Sequence, residues 1–78
     1  MRLKLSRWLA DCIGTPVSVH LKTGDTADGY LVETGREFIV LRQTRLHPAE
    51  GDSVSAAGEL VIHESNVRFM QVLTDLPS

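Results

Sequence analysis

Between residues 16 and 41, apolar and polar positions alternate in short bursts broken by glycine. Val17, Val19 and Leu21 alternate with Ser18, His20 and Lys22, the period-two pattern of a half-buried strand. Gly24 and Asp25 follow as a turn, because glycine takes positive φ without a Cβ clash. A second strand resumes at Thr26 and carries Gly29 inside it. Glycine weakens a strand interior, so Gly29 predicts a sharp bend of the kind that curls a small sheet. Gly35 interrupts again, and Phe38, Ile39, Val40 and Leu41 open a third strand that is apolar on both faces. The chain ends on two more strands, Glu59–His63 and residues 67–73, separated only by Glu64, Ser65 and Asn66. Asparagine tolerates the left-handed region, which predicts a tight turn at Asn66.

Ahead of the strands, Leu5, Trp8, Leu9, Cys12 and Ile13 recur at helical spacing. They predict an amphipathic helix over about residues 3–13, stopped by Gly14 and Pro16. Such a helix is too short to stand alone, so its stripe is expected to cap the open end of a sheet. Residues 44–58 lose periodicity and carry turn signals: His47 before Pro48, then Gly51 with Asp52 and Ser53, then Gly58. They read as a long loop, part of which extends the third strand and its successor as a hairpin. The expected fold is all-β with an N-terminal helix. It is a small five-stranded, strongly bent antiparallel SH3-like barrel, with strands at about residues 16–22, 26–33, 37–43, 59–63 and 67–73 in a single domain.

Size turns this picture toward assembly. A chain of 78 residues buries only about 60–65% of its unfolded surface. Cys12 is the only cysteine, so no disulfide closes within the chain, and no metal-ligand spacing is evident. Oligomerisation is the expected source of further burial. Cys12 lies among Trp8, Leu9 and Ile13 and reads as a packed, inert thiol suited to a reducing compartment. The basic N-terminus lacks the long apolar core of a signal peptide, and no apolar run has membrane-spanning length. The chain therefore reads as cytoplasmic.

Charge narrows the chemistry. The net charge of −2 gives no global pull toward nucleic acid, so any such contact is local to one surface. Gly24 and Gly29 have the internal spacing of a phosphate loop, but Tyr30 and Leu31 follow and no helix opens there. No nucleophile elbow or paired-carboxylate motif is recognisable, and the expectation is a non-enzyme without cofactor.

Val17, Val19, Leu21, Lys22, Gly24, Gly29 and Leu31, preceded by a helix and followed by an apolar third strand, resemble the first motif of the Sm-like (Sm/Lsm/Hfq) proteins. Val61, Ile62, His63, Glu64, Ser65, Asn66 and Val67 resemble a degenerate copy of the second. Residues 16–19 and 38–41 are closer to the bacterial branch, as in a divergent bacterial or phage-type member. The resemblance covers about residues 5–73. It implies a helix on a bent five-stranded barrel, and a ring in which the fourth strand of one subunit pairs with the fifth of the next. Unpaired strand edges supply the physical reason for such pairing, and a repeated head-to-tail contact closes into a ring. Leu60, Ile62, Val67, Phe69 and Met70 would form that interface.

The resemblance also implies single-stranded RNA held near a pore by stacking and edge hydrogen bonds. Here the family's acid and amide around the third-strand turn are replaced by Gly35 and Ile39. The aromatic position falls on Thr34 or Glu37, and the basic residue and glycine of the second motif are His63 and Glu64. What remains at the pore is Arg36, His63, Ser65, Asn66 and Arg68. Around a ring these repeat into a charged annulus, opposed by Glu37 and Glu64. Three functions follow as expectations: a ring-forming protein with an RNA-chaperone role and an atypical pocket, an oligomeric protein-binding scaffold that has lost the RNA site, or a monomeric barrel module.

Overall fold

The computed structural model of the protein describes residues 11–73. Its strands are β1 (Pro16–Leu21), β2 (Thr26–Thr34), β3 (Phe38–His47), β4 (Val54–Ser55), β5 (Glu59–His63) and β6 (Val67–Val72). A single turn of 3₁₀ helix, Glu64–Asn66, joins β5 to β6. All pairings are antiparallel. The sheet runs β4-β3-β2-β1-β6, with β5 also on β3. β5 and β6 do not pair with each other, so the sheet is open along that seam.

β1 lies between β2 and β6, and its inward residues Val17 and Val19 are fully buried. Proline is tolerated at its first position. Leu31, Leu41 and Ala27 are likewise fully buried, and Ile39, Ile62 and Cys12 complete the cluster. Leu21, Leu46, Leu60, Val67, Met70 and Val72 pack against this core but stay partly exposed. Apolar area is therefore left half-covered around the seam between β5 and β6.

The bend expected at Gly29 coincides with a bulge. Asp28 pairs Arg45 and Tyr30 pairs Arg42, so Gly29 faces two residues of β3, Gln43 and Thr44. Gln43 takes φ 55°, the one positive φ outside glycine among the described residues. A Cβ on Gly29 would lie 3.0 Å from the Arg42 carbonyl oxygen and 3.1 Å from Thr44 Oγ1. Glycine is required there because the strands approach so closely. The bulge also divides the outer edge of β3. Residues on the Phe38 side pair with β5, and those beyond Gln43 pair with β4.

Several expectations need correction. Most of the helix predicted over residues 3–13 lies outside the described residues, and residues 11–14 are turn. The third strand does not stop near residue 43 but runs to His47, because the bulge resets the alternation and Leu46 returns to the core side. The hairpin extension expected within residues 44–58 is present: β3 reaches His47 and pairs β4 through Arg45–Ser55 and Leu46–Val54, which leaves a shorter loop. The sheet has six strands rather than five. Asn66 turns the chain without a positive φ. The His63 imidazole caps the 3₁₀ turn by accepting from the Ser65 N–H, which makes left-handed geometry unnecessary. No helix among the described residues is long and apolar enough to cross a membrane.

Candidate nucleic-acid interface

The β2–β3 connection is a tight hairpin. Thr34 pairs Ile39, and the Gly35 N–H donates to the Phe38 carbonyl at 2.8 Å. Glycine at 35 leaves room for the Phe38 ring, which occupies the space that a Cβ would take. That ring is 37% exposed. Arg36 and Glu37 project from the tip and are exposed. Among the described residues Arg36 makes no ion pair.

The β5–β6 turn lies directly beside this hairpin. Phe38 pairs His63 at the end of the β3–β5 ladder, and the Glu64 N–H donates to the Glu37 carbonyl at 2.7 Å. His63 Nδ1 accepts from the Ser65 N–H at 3.1 Å, with Ser65 Oγ at 2.8 Å. A backbone N–H can only donate, so in the neutral imidazole the proton sits on Nε2. Nε2 faces Glu37 Oε1 at 3.5 Å. His63 therefore ties the two turns together, while one edge of its exposed ring remains open to solvent.

The five residues nominated from the sequence are thus placed unequally. Arg36, His63 and Ser65 stand exposed on two turns that are hydrogen-bonded to each other. Asn66 is in the same turn but half-buried, and its carbonyl accepts from the Lys22 N–H at 2.8 Å, a link to the end of β1. Arg68 continues into β6, and its guanidinium lies 5.9 Å from the ring centroid of Phe69. Phe69 in turn stacks on His20, with centroids 4.1 Å apart.

Two features escaped the sequence reading. Phe38 reads from the sequence as a strand residue and does open β3, but its ring also folds over the hairpin, for which the absent side chain of Gly35 is the signal. Val61, 63% exposed, presents apolar surface on β5, in addition to the nominated Phe69, 50% exposed on β6. Of the nominated interface residues, Ile62 is buried in the core, while Leu60, Val67 and Met70 are partly buried against it. A cavity of about 360 Å³ opens beside β5, lined by Leu21, Leu46, Leu60 and Ile62 with Asp25 and Asn66 at its polar margin.

No protein-family model matches the chain, and no curated protein does. Solved structures do match. The Pyrococcus abyssii Sm protein in complex with a uridine heptamer has a TM-score of 0.77 at 23% identity, over 92% of this chain and 100% of that one. The P. aerophilum SmAP1 heptamer also gives 0.77, at 22% identity over 96% of this chain and 100% of that one. A chain of the NatC complex bound to CoA gives 0.74 at 20% identity, over 95% and 90%. At these identities the likeness establishes the fold.

Proposed function

We propose that this chain, which has the Sm-like fold, assembles through β5 and β6 into a ring and binds single-stranded RNA at the paired β2–β3 and β5–β6 turns. The observation that carries the reading is the pair of hydrogen-bonded turns, which puts Phe38, Arg36, His63 and Ser65 on one exposed surface. Its support is the same fold in an Sm protein holding a uridine heptamer and in a heptameric SmAP1. Phe38 supplies a face on which a base stacks, a sequence-tolerant contact. Arg36 meets phosphate. The Ser65 hydroxyl, and the His63 Nε2–H once a base displaces Glu37 from it, offer hydrogen bonds to base edges. Glu37, held toward His63, and Glu64 keep the annulus from being strongly basic, so binding is modest and salt-sensitive.

The ring deepens the same logic. Leu60, Val67 and Met70 gain burial from a neighbouring strand, and Val61 and Phe69 lie on the exposed sides of the two seam strands. A ring repeats Arg36 once per subunit, which turns a weak contact into a polyvalent one.

Fluorescence anisotropy of labelled oligo-uridine tests the site. Arg36→Ala is expected to weaken binding at low salt by about tenfold or more and to flatten the salt dependence, as loss of a phosphate contact does. Binding that is unchanged by Arg36→Ala, or absent at micromolar protein, would contradict it. A second reading, an oligomeric protein-binding scaffold, draws on the NatC-complex chain of the same fold and on the acids at the turns. Nucleic acid that co-purifies and is removed by ribonuclease would count against the scaffold.

A further inference from the structure

At the other end of β3 from the turn pair, four side chains form a continuous hydrogen-bonded chain. Ser53 Oγ lies 2.6 Å from His47 Nδ1. His47 Nε2 lies 3.1 Å from Asp28 Oδ2. The remaining oxygen of that carboxylate, Oδ1, accepts from the Ser18 hydroxyl at 2.6 Å. The sheet register makes the arrangement. Ser18 on β1 pairs Asp28 on β2, and His47 on β3 pairs Thr26, two residues along the same face. The connection to β4 then brings Ser53 back over His47, fixed by the Leu46–Val54 pair.

We propose that Ser53 is an activated serine that takes acyl groups from small activated esters, with His47 as its general base and Asp28 positioning the imidazole. The chemistry needs a nucleophile within reach of a base that a third group orients, whatever the sequence order. An ionised carboxylate only accepts, so Asp28 holds the proton on Nε2. That leaves the Nδ1 lone pair facing the Ser53 hydroxyl. Ser18, itself buried, keeps the carboxylate from rotating away.

The step balances without a co-reactant. Ser53 Oγ attacks the ester carbonyl carbon as its proton passes to Nδ1. The new Oγ–C bond forms, the bond to the leaving oxygen breaks, and the departing alkoxide or phenoxide takes the proton from His47. Water, deprotonated by His47, then attacks the acyl-serine, releases the carboxylic acid and restores the hydroxyl. Ser53 is exposed, so a small ester reaches it from solvent.

The chain contains its own controls. Ser55, two residues on in β4, is exposed but has no imidazole partner among the hydrogen bonds of the described residues. Ser65 contacts His63 Nδ1, but that nitrogen already accepts the Ser65 backbone N–H, and the carboxylate on the far side is 3.5 Å away. The proposal is independent of RNA binding and of ring formation.

The full-length protein is incubated with p-nitrophenyl acetate, and acetylation is mapped by peptide mass spectrometry. In samples quenched with acid before deacylation proceeds, acetyl occupancy at Ser53 is expected to exceed that at Ser55 by on the order of a hundredfold, the scale of general-base assistance. It should also exceed that at Ser65. In His47→Gln and in Asp28→Asn, each checked for fold by circular dichroism, the Ser53:Ser55 ratio should fall toward one. The ratio is internal to each protein, so a change in overall stability does not move it. Equal labelling of Ser53 and Ser55 in the unsubstituted protein overturns the proposal, as does a ratio that His47→Gln leaves unchanged.

Discussion

Val61→Asp is expected to convert the proposed ring into folded monomers. Val61 sits on β5 opposite Val40 of β3 and is 63% exposed within one chain. An aspartate there is solvated in the monomer, so the fold loses little. In a ring the outer side of β5 meets β6 of the next subunit, where Phe69 is half exposed. A carboxylate set against the apolar Phe69 ring loses hydration, which costs on the order of 1–3 kcal/mol at a seam. The cost recurs at every seam, so a closed ring feels it many times over. Sedimentation velocity at micromolar protein should show the oligomer replaced by a single-chain species with an unchanged far-ultraviolet spectrum. An oligomer that survives the substitution intact would place the seam elsewhere.

Leu31→Ala has the largest expected effect on the fold itself. Leu31 is fully buried on β2, opposite Leu41, and belongs to the central cluster with Val17, Val19 and Ile39. Truncating a buried leucine to alanine removes transfer free energy and leaves a cavity, together about 3 kcal/mol. A domain this small has on the order of 5 kcal/mol to lose. The thermal midpoint should therefore fall by on the order of 15–20 °C. Measured in the Val61→Asp background, the change reads the single folded chain alone. Val54→Ala, at a residue 52% exposed on β4, is the comparison and should shift the midpoint little. Equal shifts for the two would mean that the buried cluster is not what holds the sheet.

Much of this fold is legible in the residues because local pattern and global burial agree over β1 and β2. Val17 and Val19 alternate as the apolar side of a half-buried strand in the sequence, and both are fully buried in the structure. The agreement ends at Gln43. An unbranched polar residue at positive φ leaves no signature in composition, yet it shifts the inward positions of β3 from Ile39 and Leu41 to Thr44 and Leu46. Read at a fixed period of two, the strand appears to stop there. β4 is legible only as a hairpin extension expected somewhere within residues 44–58, and its position is not. Two exposed residues become a strand only because the extended β3 offers them an edge.

Parity also governs the seam. Val61 and Ile62 are both β-branched and adjacent, and an apolar run does not say which one faces inward. The register settles it by pairing Ile62 with Ile39 across the core. At the candidate site, Arg36, His63, Ser65 and Asn66 could be nominated because they occupy two turns that a shared motif brings near each other. Phe38 could not, since its position depends on the space above Gly35. The Ser53–His47–Asp28 chain was further out of reach. Its members are separated in sequence and meet only through the bulged register of β2 and β3.

The most direct measurement is native mass spectrometry of the unsubstituted protein mixed with a short oligo-uridine at low salt. The expected spectrum contains one closed oligomer of several chains, with a fraction carrying a single oligonucleotide. A spectrum of free monomers with no oligonucleotide bound would contradict both the ring and the RNA site.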